Sequence, residues 1–188
     1  MKNNEKQPVS WILDPTHSEI HFRVRHMMIS WVGGYFQNFT GEFQFNEPDF
    51  QDLQIKLNIP VDNISTGNAN RDEHLRSIDF FDSGNFPEIN FRSEGKPWKD
   101  LSGNFWLRGE LNIHGQSRMI QLKIDSFGSG IDPWGNERFG FSVSAEIKRS
   151  DFGIGWNTTL DRGGVLIGED VQIRAELQLI SKNKQVQR

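Results

Sequence analysis

Apolar and polar residues alternate along most of this chain. From Leu53 the odd positions read Leu53, Ile55, Leu57, Ile59 and Val61, and the even ones read Gln54, Lys56, Asn58 and Pro60. Near the other end Val171, Ile173, Ala175, Leu177 and Leu179 alternate with Gln172, Arg174, Glu176 and Gln178. A strand turns successive side chains to opposite faces, so this period of two predicts half-buried strands. The same pattern covers Ile20–Phe22–Val24, Phe39–Gly41–Phe43–Phe45, Ile89–Phe91, Phe105–Leu107 with Leu111–Ile113 around Gly109, Ile120–Leu122–Ile124, and Phe139 to Ile147. About eight strands follow, plus a short one around Trp11, each with one apolar and one polar face. Ile113-His114-Gly115-Gln116 predicts a tight hairpin, and Gly128 to Gly135 a loop. Helical periodicity is scarce. Arg71 to Ser77 is the best segment, with Asn70 as cap and Glu73 three residues on. A second short turn is expected near Met28 to Val32. The organisation is one domain over 8–181 with polar tails at 1–7 and 182–188.

Strands of this kind close into a sandwich or a barrel. Several runs last roughly 10–13 residues against a usual strand of about 5–6, which favours the barrel. At ~3.3 Å per residue and a tilt of ~40° it stands on the order of 30 Å tall. The predicted fold class is therefore all-β, an extended eight-stranded antiparallel, lipocalin-like barrel with one or two short helices. The 15 Phe residues suit its wide apolar inner face. The expected lining is Phe22, Val24, His26, Phe43, Phe45, Leu57, Ile59, Phe91, Leu107, Leu111, Phe139, Phe141, Val143, Ile173 and Leu177. Periodicity alone leaves open whether that tube is hollow or filled by its own side chains.

Charge and composition narrow the functions. A net charge of −4 argues against a nucleic-acid partner, which calls for a basic face. The chain contains no cysteine, which removes disulfides, zinc thiolates and cysteine nucleophiles. The apolar run Val9 to Leu13 is too short for a signal peptide, and no run approaches the ~20 residues of a membrane span. A cytoplasmic protein without stable membrane insertion is the expectation from those features.

The chemistry-bearing residues do not assemble into a known catalytic motif. His17 and His21 lie roughly 13 Å apart along a strand, too far to share a metal. His114 falls in the predicted hairpin. His26 falls on the inward face near a strand end, where an imidazole could meet a ligand's head group. The densest polar cluster is Arg71 to Asp82, with Asp72, Glu73, His74, Asp79 and Asp82. His74 with a carboxylate could act as a general base, but no GxSxG elbow accompanies it. The plainer reading makes this segment a helix and loop that edge the barrel through Leu75, Phe80 and Phe81. Asp151-Phe152-Gly153 lacks the other kinase motifs. Trp31, Trp98 and Trp134 fall in or near predicted loops, as rim residues or packing over a barrel end.

Five segments carry a family resemblance: WILDPTHSEIHFRVRHMMIS from Trp11, NISTGNANRDEHLRSIDFFDSGNFPEINFRS from Asn63, GELNIHGQSR from Gly109, KRSDFGIG from Lys148 and GVLIGEDVQI from Gly164. Together they span about Trp11 to Leu179, and the chain resembles the YceI-like family of polyisoprenoid-binding, lipocalin-like barrels. The resemblance implies a lipid tail in the barrel, often a homodimer, no catalytic residues and no cofactor. Many members are periplasmic. The function expected is non-catalytic carriage of a long-chain apolar lipid, such as a polyisoprenoid, an isoprenoid quinone or a fatty-acid derivative. Two alternatives stand beside it: an enzyme acting on an apolar substrate through His74 or His26, and a filled, dimeric stress or interaction barrel. On the carrier reading, Phe141→Asp is expected to abolish binding.

Overall fold

The computed structural model describes residues 9–46, 52–160 and 164–182. The tail 1–7, and the tail 182–188 beyond Lys182, lie outside them. Among the described residues there are eleven strands: β1 (Val9–Leu13), β2 (Glu19–His26), β3 (Ser30–Phe36), β4 (Thr40–Phe45), β5 (Gln54–Pro60), β6 (Ile64–Ser65), β7 (Glu88–Lys99), β8 (Phe105–Ile113), β9 (Gln116–Ile131), β10 (Glu137–Lys148) and β11 (Ile167–Ser181). One α-helix, α1 (Ala69–Arg76), lies between β6 and β7. Short 3₁₀ turns occupy Val61–Asn63 and Arg149–Phe152.

Eight strands close a ring in the order β1-β4-β5-β7-β8-β9-β10-β11, with β11 returning to β1. All the pairings are antiparallel. The long strand β11 serves two partners on one edge. Its end at Leu179–Ser181 pairs with β1, and its earlier part, Ile167–Glu176, pairs with β2. From β2 the sheet continues through β3 to β6. Closure pairs β1 with β11, the two edges that an open eight-stranded sheet would leave free.

The tight hairpin is where the sequence places it. His114 and Gly115 have φ of 50° and 69°, and Ile113 pairs with Gln116. Gly115 is required twice over: its φ is positive, and a Cβ there would lie 2.6 Å from the Phe86 ring.

Four sequence expectations need correction. The helix begins earlier, at Ala69, and its cap is Asn68, whose side chain accepts a hydrogen bond from Arg71 N (3.0 Å). Asn68 is extended where Asn70 is already helical, so only Asn68 can reach the free amides of the first turn. The turn near Met28 is confined to Met27–Ile29, and β3 follows from Ser30. Gly33 and Gly34 blank the alternation in β3. A Cβ on Gly34 would meet the Phe22 ring at 2.6 Å, so this strand trades side chains for close approach. The first half of the expected Gly128–Gly135 loop is strand, because pairing of β9 with β10 over Gly128–Ile131 overrides the glycines, and the turn is confined to Asp132–Gly135. Trp31 and Trp98 accordingly sit in β3 and β7 rather than in loops. Trp134 is in a turn and exposed.

Two hairpins at one end of the barrel share a construction. Asp100 accepts hydrogen bonds from Ser102 N, Asn104 N, Asn104 Nδ2 and Trp106 Nε1, all at 2.9 Å. Asp132 accepts from Trp134 N, Asn136 N and Asn136 Nδ2, and from Arg138 Nε at 2.7 Å. Each turn closes on a glycine with positive φ, Gly103 and Gly135. Arg138 also reaches Asp14, the residue after β1, and so ties that turn to the β9–β10 hairpin. Burial alone would raise the Asp14 carboxyl, but hydrogen bonds from Thr16, Arg138 and His17 together hold it well below the usual carboxylate range. At Asp132 the same opposition is resolved the same way by Asn136 and Arg138. Trp106 and Asn104 lower Asp100 to about 2.

Depressed carboxylates stabilise the fold above their unfolded pKa of ~3.9 and lose that contribution as pH falls toward the folded value. The urea midpoint should therefore hold from pH 7 to 5 and drop steadily below about pH 4. Asp132→Asn should flatten that acid slope, and an unchanged slope would remove this network from the account.

Candidate functional site

The inward faces of the strands do two different jobs along the barrel. Toward the β1 end, Trp11 stacks on Phe45 (5.0 Å between centroids, 7° between planes). Phe139 meets Phe45 edge-on at 5.1 Å, and Phe43 meets Phe141 at 5.9 Å. Leu107, Leu177 and Leu179 complete a solid layer. Toward the β2 end the wall opens into a cavity of about 430 Å³. The register along β11 separates the halves: Leu177 and Leu179 face Phe141 and Phe139, whereas Ile173 faces Phe22 and Ala145.

Of the expected lining, Phe22, Val24, His26, Leu57, Ile59, Phe91, Leu111, Val143 and Ile173 border this cavity. Phe43, Phe45, Leu107, Phe139, Phe141 and Leu177 do not. They are buried and pack against one another and Trp11, and none of them borders the cavity. Period-two alternation reports the face a residue takes, not its depth along the barrel, and the six lie at the filled depth.

Further lining residues come from outside the strands. Leu75 of α1, with Phe80 and Phe81 after it, covers the cavity, as the plainer reading of that segment anticipates. The β10–β11 connection adds Arg149, Phe152, Ile154 and Trp156. Sequence reasoning missed Arg149 and Trp156. The one available signal was an Arg directly after an alternating strand in KRSDFGIG, which alternation cannot interpret.

The polar groups at the cavity are few. His74 Nε2 lies 2.9 Å from Asp79 Oδ2, and its ring is held edge-on against Phe80 (4.9 Å) and Trp156 (4.8 Å). Among the described residues no hydroxyl hydrogen-bonds to that ring. Arg71 donates from Nε to Thr66 Oγ1 (2.7 Å) and from Nη2 to Thr66 O (2.8 Å). Thr66 in turn donates to the buried Asp72. Arg149 is 6% exposed and holds the carbonyls of Gly168, Ile154 and Trp156 at 2.7–3.0 Å. His26, which ends β2, sits at the wall, half-buried. Among the described residues no three His, Asp or Glu side chains converge as a metal site.

Comparison with known proteins agrees with this architecture. The YceI-like domain model matches residues 11–179. A UPF0312 protein of Shewanella denitrificans is 37% identical over 138 residues, covering 73% of this chain and 72% of that one. A second, from Vibrio parahaemolyticus, is 33% identical over 150 residues, covering 79% of each. Among solved structures, Burkholderia cenocepacia BcnA superposes with a TM-score of 0.75 at 20% identity, over 88% of this chain and 98% of its own. The Campylobacter jejuni YceI protein gives 0.69 at 27% identity, over 85% and 90%. A polyisoprenoid-binding domain from Saccharophagus degradans, implicated in plant cell wall breakdown, gives 0.62 at 15% identity, over 92% and 99%. The fold, the matched span and the relatives agree, and the chain belongs to the YceI-like family.

Proposed function

We propose that this protein is a non-catalytic carrier that holds the apolar chain of a lipid in the hollow half of its barrel. The observation that carries the reading is the cavity itself: about 430 Å³, walled by inward strand faces and roofed by α1 and the β10–β11 connection. Pockets for small ligands run ~300–1,000 Å³, mostly apolar with a few placed polar groups, and this one fits that description. Removing a chain's apolar surface from water stabilises the complex by ~25 cal/mol per Å². The YceI-like family and the polyisoprenoid-binding neighbour support a lipid of this kind, whether an isoprenoid, a quinone or a fatty-acid derivative. The His74–Asp79 pair is the one observation favouring an enzyme, and the aromatic rings packed on His74 fit a wall better than a catalytic base.

Native mass spectrometry of freshly purified protein, followed by organic extraction, tests the proposal. A stoichiometric lipid adduct is expected. Bare protein that also refuses added polyprenyl lipids, quinones and fatty acids would overturn it.

A further inference from the structure

The cavity wall carries charge of one sign only. Its titratable and polar members are Arg25, His26, Thr66, Arg71, His74 and Arg149, and no Asp or Glu is among the residues that border it. This is unexpected in a chain whose net charge is −4. Two of the cations are already engaged. The Arg25 guanidinium lies over the Trp31 ring at 4.2 Å, and Arg71 is tied to Thr66 through Nε and Nη2.

Arg149 is different. It is the most buried of them, at 6% exposure, yet no carboxylate of the described residues lies within ion-pair distance of it. Its Nε and Nη1 donate to three backbone carbonyls, and its Nη2 donates to none of the described residues. Glu169, the carboxylate that feels its field, is exposed and accepts from Ser150 N instead. A buried guanidinium hydrogen-bonded only to neutral carbonyls, with its nearest coupled carboxylate exposed and engaged elsewhere, keeps a charge that is compensated only in part, and in an apolar space that is expensive. Guanidinium forks pair with carboxylate and phosphate oxygens in preference to neutral acceptors.

We infer that the cavity selects an amphiphile with an anionic head, a carboxylate or a phosphate, whose oxygens pair with the unengaged edge of Arg149. This rests on the carrier reading and narrows it: a neutral quinone head would leave the buried charge compensated only in part. The volume narrows the tail as well. At about 430 Å³ the cavity lies toward the small end of the ~300–1,000 Å³ range of ligand pockets, so it takes a medium chain or one end of a long one.

The test is calorimetric titration of delipidated protein at pH 8 with decanoate, decyl phosphate and decanol. At least one of the two anions should bind ten-fold or more tightly than decanol, and comparing the two identifies which head is preferred. Arg149→Lys should keep part of that preference. Arg149→Gln, if folded by circular dichroism, should bring the affinities of the anions down to that of decanol measured on the same variant. A purely structural clamp predicts no head-group preference at all. Decanol binding as tightly as both anions to the wild-type protein would overturn the inference and leave the carrier reading standing. Persistence of the full preference in Arg149→Gln would also overturn it. Should that variant not fold, the wild-type series and Arg149→Lys decide the matter. Failure of all three compounds to bind would overturn the inference, and the carrier reading would fall with it only if polyprenyl lipids, quinones and fatty acids are refused as well.

Discussion

Replacing Phe141 with Ala should remove about 3–5 kcal/mol of folding stability and leave affinity for a cavity ligand essentially unchanged. Phe141 is fully buried, meets Phe43 edge-on, and lies 6.3 Å from Phe139 between centroids. Truncation deletes those contacts and opens a void that the surrounding strands, locked by their ladders, close only in part. Domains are typically stable by about 5–15 kcal/mol, so the variant should still fold, with a much lower urea midpoint. It does not border the ligand cavity, so titration well below that midpoint should give wild-type binding. A folded variant with near wild-type stability, or with lost affinity, would contradict this division of the barrel. The same geometry changes the meaning of Phe141→Asp. A carboxylate in that layer has no partner and no water, so the expected loss of binding would report failure to fold.

The complementary change is Ala145→Trp, which should abolish most binding while barely altering stability. Ala145 lies on the inward face of β10 between Val143 and Ile147 and pairs with Ile173, and all four border the cavity. An indole there projects into space that a lipid chain would otherwise fill. If the ligand loses about 100 Å² of apolar burial, affinity falls by ~2.5 kcal/mol, roughly 60-fold. The fold changes by about 1 kcal/mol or less, because the ring enters a void rather than a packed layer. Thermal melting and titration with a fatty acid separate the two quantities. Undiminished affinity in the folded variant would show that the occupied space lies elsewhere. Taken together, Phe141→Ala and Ala145→Trp form a crossed pair, one moving stability alone and the other binding alone.

The hairpin at His114–Gly115 was legible because a turn of positive φ requires particular residues, and Gly is among them. The strands were legible because one buried face imposes a period of two. β3 was not, since Gly33 and Gly34 remove the side chains that would display the alternation and leave Phe22 to cover the gap. Arg149 was not legible either. Its burial comes from folding the β10–β11 connection back over the barrel, where Gly168, Ile154 and Trp156 supply carbonyls from both ends of a long segment.

By itself the sequence determined an all-β barrel with an apolar interior and, through five matching segments, its family resemblance. Both rest on patterns local to each strand or motif. Only the tertiary structure decided that one half of the interior is solid and the other hollow. Depth along a barrel is set by the register between strands, which pairs residues as distant as Trp11 and Ser181, and by contacts across the interior such as that of Phe43 with Phe141, and no local pattern connects either pair.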